Sequence, residues 1–469
     1  MNILNLSPIG ISYNTNSINS YEYVLVPIYV FIFYFLTKIL IDVNPKNKIE
    51  KKYIYPALGM KIVGGLFITL IYNFYYQGGD TSIYFNESKV LSNIIFENPE
   101  SIFRVLFYNP LGDDTELKNF FAHLNYMNGK DTLIVLKITA LLNIFSFNSY
   151  LITTFFYSYI SFWCIWRLMR LLFRLYPNNK TAIVIAFFYT PSLVVWGSGI
   201  LKDTICFSCL CLLHYYLYRI FIEKKVNVPY VIYVCITGYL LFTIKIYILL
   251  AYVPCFLFLT TQFYKSYIHN RVLKSIVSPV IIILGIAASY FIISQIGGEK
   301  TRYSTSNLFE TAKLQRTYLH SVSLRTNGST YDLDIEDGNF VSYILNIPTA
   351  INVTLFRPYL WESKNIIMLF SSFESVLVLF ITLRLLYKRN WKNTFRTISL
   401  DSNLQFFIVF SLIFSFFVGI TSSNFGSLVR YKIQGLPFYI LFILLLYNSS
   451  SKKKSKKQIN ASLSPKRMD

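Results

Sequence analysis

Asp80 stands directly after Gly78 and Gly79 and leads into the run TSIYFNESKVLSNIIF. Asp80, Tyr84 and Glu87 fall at i, i+4 and i+7, so a helix here sets all three side chains on one face. A carboxylate so placed can take the proton from an attacking hydroxyl, which makes Asp80 the candidate catalytic base. It can equally hold a divalent cation against a phosphate, and such a cation is the cofactor these residues suggest.

Four other short stretches combine charge with flat aromatic surface. They are PSLVVWGSGILKD (191–203), the Lys245-Ile246-Tyr247 triplet, LFRPYLWE (355–362) and SLVRYK (427–432). Lys202, Lys245, Arg357, Arg430 and Lys432 supply positive charge, arginine as a planar fork and lysine as a point charge. Gly197 and Gly199 would let backbone N–H groups approach an anion. Trp196, Tyr247, Tyr359, Trp361 and Tyr431 suit a bilayer interface and also suit stacking on sugar rings. The candidate substrate-binding set is therefore Tyr84, Trp196, Lys202, Asp203, Lys245, Tyr247, Arg357, Trp361, Glu362, Arg430 and Tyr431. A ligand with a lipid tail, an interfacial anion and an outward glycan, such as a polyprenyl phosphate or diphosphate carrying sugars, presents the matching features.

The elements that must position these residues are membrane helices. The chain has 469 residues, is 54% hydrophobic and only 14% charged, with a mean hydropathy of +0.45. A soluble domain carries about 25% charged residues. The formal net charge of +21 falls mostly beside apolar runs, where it orients the chain and meets anionic lipid, so nucleic acid is not an expected partner. The six cysteines lie inside apolar runs and read as small buried hydrophobes, with no disulfide framework. The first residues lack a basic region and a cleavage site, so no signal peptide is expected.

The expected fold is all-α, a polytopic membrane protein of about eleven transmembrane helices. The spans are 22–41, 55–76, 149–169, 181–199, 203–222, 228–244, 246–263, 275–295, 365–386, 404–422 and 433–448. Residues 229–263 as one helix would be roughly 50 Å long at about 1.5 Å per residue, too long for a ~30 Å core, so the chain should turn at Lys245. Every second connection is basic, from Lys46, Lys48, Lys51 and Lys52 through Arg271 and Lys274 to the SKKKSKK tail. That pattern puts the N-terminus outside and the C-terminus inside. It also requires 132–146 to be an interfacial or half-inserted helix. Residues 1–448 then form one polytopic domain with two long outer loops, 77–148 and 296–364. Residues 449–469 form a basic disordered cytoplasmic tail.

A polytopic chain with Gly78-Gly79-Asp80 and a nearby tyrosine opening a large outer loop resembles the GT-C glycosyltransferases. Pro191–Asp203, Phe356–Glu362 and Arg430-Tyr431 also look like segments of bacterial envelope-polysaccharide proteins related to the O-antigen polymerases. The resemblance covers about 70–440. It implies a membrane enzyme at the outer face of the bacterial cytoplasmic membrane, with a polyprenyl-linked sugar as donor and a glycan as acceptor. Asp80 would be its acid, and Arg357 and Arg430 its donor-phosphate contacts. The chain departs from the pattern in two ways: the Asp80 loop follows the second span, and Asp80 has no acidic neighbour.

Simpler readings stand beside these. Asp80-Thr81 can cap the helix that follows. Lys202-Asp203 can be an interfacial ion pair, and Arg357, Trp361 and Arg430-Tyr431-Lys432 can be interfacial anchors. The acidic run DLDIEDG (332–338) lacks calcium-loop spacing and reads as a solvated turn, and His123, His269 and His320 receive no role. Glu374 falls near mid-span and needs a partner. The competing functions are a single-sugar transferase, a glycan polymerase, a flippase of lipid-linked saccharides and a non-catalytic subunit. Charge clustered at one face, without internal repeats, favours the first two over transport.

Overall fold

A computed structural model describes residues 18–42, 50–265 except 111, 113, 123, 125 and 128, positions 270, 276, 277, 280, 284 and 285, 308–335 except 326, 327 and 334, and 340–462. The expected span 275–295, Lys46, Lys48, Arg271, Lys274, His123, His269, most of the 332–338 run and the last residues of the tail lie largely or wholly outside these.

The described chain is helical, with one isolated bridge between Thr330 and Asn424 and no strand. Among the described residues six helices are long and apolar enough to cross a membrane: Glu22–Asp42 (α1), Lys51–Tyr75 (α2), Lys202–Ile222, Val228–Tyr264, Ile366–Lys388 and Ser402–Thr421. Two bent pairs raise the number to eight if each is one span. These are Lys130–Ser146 with Tyr150–Leu175, meeting at 112°, and Phe425–Gln434 with Leu436–Ser449, at 63°. The chain is thus a membrane protein in its helix lengths and composition. The expected span 181–199 is instead two short helices, Lys180–Phe188 and Pro191–Trp196. Pro191 has no N–H and disfavours helix at the residue before it, which ends the first helix early. The last helix runs on to Ser462, into the expected disordered tail. Lysine and glutamine are good helix formers, which suits the stretch 452–458 to a helix.

By its contacts the chain divides into two compact units, one of residues 1–169, 193–216 and 227–246, the other of 170–192, 217–226 and 247–469. In the first, α1 packs on the start of Tyr150–Leu175 through Phe33, Ile152 and Phe155. Glu22, fully buried at the start of α1, accepts from Ser149 Oγ (2.7 Å) and from the backbone N–H of Leu151 (2.9 Å). It therefore satisfies one of the orphan donors that every helix start leaves. Asp80–Glu97 (α3) packs along Lys130–Ser146, where Asn143 Nδ2 donates to Ser88 Oγ at 3.0 Å. Both glycines before α3 have positive φ, 135° at Gly78 and 120° at Gly79, and a Cβ on Gly79 would stand 2.8 Å from the Tyr72 ring. Only glycine suits that bend. Past α3, Arg104 forks onto Asp114 with two bonds of 2.7 Å and reaches Glu116 at 2.8 Å.

In the second unit Ile347–Phe356 packs closely on Ser402–Thr421. A Cβ on Gly419 would stand 2.4 Å from the Ala350 carbonyl, and Thr354 Oγ1 donates to the Ser415 carbonyl at 2.8 Å. Phe406, Phe410, Phe438 and Tyr252 fill its interior, Phe410 meeting Phe438 edge-on at 5.2 Å. All six thiols are free; Cys235 is exposed and Cys164 half-buried, which corrects the expectation that all are interior.

Candidate functional site

The candidate residues fall into both units, and each group has its own geometry. In the first unit Asp80 is the first residue of α3, with Gly79 at the N-cap, so it is not the capping residue. It is half-buried and accepts a hydrogen bond from the Tyr126 phenol at 3.0 Å. The face predicted from spacing is real and faces that tyrosine: the Tyr84 ring lies 4.8 Å from the Tyr126 ring, and Glu87 accepts from the Tyr126 backbone N–H at 2.9 Å. Glu87 is fully buried and Tyr84 nearly so, which leaves Asp80 as the accessible acid of the three. Tyr126 carried no periodic signal in the sequence, because it lies in an irregular stretch between helices.

The WGSG turn is not an open glycine loop. Trp196 is buried and edge-on to Tyr72 at 6.3 Å, and Ser198, Ile200 and Leu201 are fully buried. The N–H groups of Gly197 and Ser198 are spent on the carbonyls of Leu193 and Val195. The turn presents carbonyls instead. Lys61 of α2, itself fully buried, donates to the Gly197 carbonyl, as does Ser161 Oγ at 3.2 Å, and Ser158 Oγ donates to the Ser198 carbonyl at 2.7 Å. An anion cradle of backbone N–H groups is therefore corrected to a set of carbonyls held by a lysine and two serines. The glycines here allow close approach: a Cβ on Gly64 would stand 2.0 Å from the Val194 carbonyl, and one on Gly197 would stand 2.5 Å from the Leu193 carbonyl.

Lys202 and Asp203 do not pair with each other. Lys202 Nζ is 2.5 Å from Asp131 at the start of Lys130–Ser146, with about a fifth of its side chain exposed. Asp203 is fully buried and accepts from Lys245, which sits at the non-helical break inside Val228–Tyr264, at φ −149° and ψ 79°. The break expected from span length is thus present and held by an ion pair.

In the second unit Arg357 forks onto Glu362, Nε lying 3.0 and 3.1 Å from the two carboxylate oxygens. Its guanidinium stands 5.0 Å from the Phe425 ring and 5.8 Å from those of Tyr331 and Tyr359. Burial pushes the Tyr331 phenol up from its ordinary value, and the group donates to the Gly419 carbonyl at 3.0 Å. Tyr359 stacks on Trp361 at 4.9 Å, and Trp361 is 81% exposed. Arg430 and Tyr431 lie half-buried on Phe425–Tyr431, the helix that also carries Phe425. Tyr247 stacks on Phe414 at 6.2 Å. Lys432 is buried, with Nζ 3.0 Å from Ser375 Oγ and 3.7 Å from Glu374, which also accepts from the Ser192 backbone N–H at 2.6 Å. The mid-span acid therefore has its partner in the cation first read as an interfacial charge.

Among the described residues no group of three or more His, Cys, Asp or Glu could hold a metal ion. Compared with protein-family models, characterised proteins and solved structures, the chain finds no match in any of the three.

Proposed function

We propose that this chain is a glycosyltransferase that uses polyprenyl-phosphate-linked sugars at the outer face of the bacterial cytoplasmic membrane, in envelope polysaccharide or glycoconjugate synthesis. The O-antigen or exopolysaccharide polymerase is the same chemistry with a growing glycan as one partner. The observation that carries the reading is the second-unit cluster: a guanidinium held among three aromatic rings, beside a stacked Tyr359–Trp361 pair that is open on one face. A cation next to a flat, exposed aromatic surface matches a phosphate next to a sugar ring. Asp80 is the base of this reading. Tyr126 orients its carboxylate, and a carboxylate so held can take a proton from an acceptor hydroxyl.

The eleven-span arrangement, N-terminus outside and C-terminus inside, belongs to this proposal and rests on the alternation of basic connections. In a cysteine-free background, Phe107→Cys should react with an impermeant thiol reagent from outside and Asn178→Cys should not. The reverse pattern would invert the orientation.

Profiling the lipid-linked glycans of cells that carry Asp80→Asn in place of the wild-type chain tests the function. Loss of a general base costs about 10²–10⁴-fold, so the precursor should accumulate. A glycan one sugar short identifies a transferase, and single repeat units identify a polymerase. An unchanged glycan profile with Asp80→Asn would remove Asp80 from the chemistry.

A further inference from the structure

Between the candidate spans Ile366–Lys388 and Ser402–Thr421 the chain forms a separate helix, Trp391–Ser399. Only Arg389 and Asn390 precede it and only Leu400 and Asp401 follow it, so it lies within a few residues of the bilayer boundary on both sides. Trp391, Phe395 and Ile398 fall at i, i+4 and i+7 and form one apolar face. Trp391 is 66% exposed and Phe395 75% exposed, so the described residues leave this face uncovered. Lys392 and Arg396, both exposed, are themselves i and i+4 and run alongside it.

The helix is fixed in orientation by its other side. Arg389 donates from Nη1 to the Leu446 carbonyl at 2.7 Å, and from Nη2 to Ser449 Oγ at 2.9 Å and Thr397 Oγ1 at 3.2 Å. Gln405 Nε2 donates to the carbonyls of Ile398 and Ser399, each at 3.0 Å. Asp401, just beyond, caps Ser402–Thr421 and accepts from the Tyr176 phenol at 2.9 Å. Of the cations here, Arg389 is thus built into the fold, whereas the exposed side chains of Lys392 and Arg396 have no ion-pair partner among the described residues.

We propose that Trp391–Ser399 is an interfacial helix that binds anionic phospholipid headgroups, with Trp391 and Phe395 set among the acyl chains and Lys392 and Arg396 on the headgroup phosphates. Its apolar stripe has the width and its flanking charge the sign that an anionic bilayer surface needs. Its attachment to two apolar spans places it at the depth where that surface lies. This inference does not depend on the chain being a glycosyltransferase.

The test uses the full chain in vesicles of phosphatidylcholine and phosphatidylglycerol in one fixed ratio, with brominated acyl chains on one lipid or on the other. The fluorescence of Trp391 is taken as the difference between wild type and Trp391→Phe. Bromine on phosphatidylglycerol should quench it beyond that lipid's share of the mixture. The excess should fall about fivefold for each charge removed in Lys392→Gln and Arg396→Gln. Raising the ionic strength on the wild-type chain should erase it without any substitution. Absence of quenching in both mixtures would overturn the proposal, showing the face to be covered by protein, a second copy of the chain included. Quenching in simple proportion to each lipid would overturn it as well, because the headgroup would then not be recognised.

Discussion

Lys245 and Asp203 form an ion pair that joins the break in the longest apolar helix to the first turn of another. The carboxylate is fully buried and the ammonium nearly so. Two charges withdrawn from water stabilise a fold only when each satisfies the other, and removing one alone strands its partner. Asp203→Leu and Lys245→Met should therefore each destabilise the chain by about 3–5 kcal/mol, and the double replacement of both should recover most of that. Thermal unfolding in detergent measures it. Equal additive losses in the singles and the double would show that the pair is not coupled.

The same burial explains what the sequence could and could not show. The break at Lys245 was legible because an apolar run of that length exceeds a bilayer. The need of Glu374 for a partner was legible because an acid in mid-span must be paired. Lys61 was not legible: its acceptor is the backbone carbonyl of Gly197, and a carbonyl leaves no mark in a sequence. Asp131 and Tyr126 escaped for a related reason. Each meets its candidate across a long stretch of chain, where no spacing rule operates. The aromatic cluster at Phe356–Glu362 was visible as composition, but the fork of Arg357 onto Glu362 was not.

Gly64 and Lys61 make a second prediction, because they meet the WGSG segment by different physics. A Cβ at Gly64 would run into the backbone oxygen of Val194, which cannot rotate away. Overpacking of this kind costs about 1–3 kcal/mol or more. Lys61→Met removes one donor from a carbonyl that Ser161 also serves, a loss of about 1–2 kcal/mol. Gly64→Ala should thus lower the unfolding midpoint more than Lys61→Met does. The opposite order would mean that the lysine, rather than the close helix contact, fixes the turn.

Asp114 supplies a pH dependence in the segment after α3. The Arg104 guanidinium holds its carboxyl below the ordinary carboxylate value, and the same side chain accepts from the Leu117 N–H at 3.1 Å to cap the short helix Thr115–Phe120. A carboxyl depressed in the folded state stabilises that state above its unfolded value, and the contribution is lost as pH falls through the depressed value. Protection of the Leu117 amide from exchange, corrected for the intrinsic rate, should therefore drop on acidification below the ordinary carboxylate range. Asp114→Asn should remove that acid-side drop while keeping part of the cap. A drop of the same size in the asparagine variant would assign the effect to another group.

Arg357 and Trp361 allow binding to be separated from folding. Arg357 is clamped by Glu362 and three aromatic rings, so it carries both structure and charge. Lysine there can neither fork a carboxylate nor lie flat against a ring, so Arg357→Lys should lower stability along with any ligand affinity. Trp361 differs, because with four-fifths of its surface exposed it adds little to the fold. Trp361→Ala should leave the unfolding free energy within about 0.5 kcal/mol of wild type, as exposed substitutions do. If its stack with Tyr359 is a platform for a sugar ring, the same variant should weaken binding of a polyprenyl diphosphate-linked sugar by about tenfold, the loss of one aromatic contact of roughly 1.5 kcal/mol. It should leave binding of the polyprenyl phosphate without sugar unchanged. Equal weakening for both lipids would make Trp361 a contact for the chain or the interface. No weakening for either would remove the platform from the site.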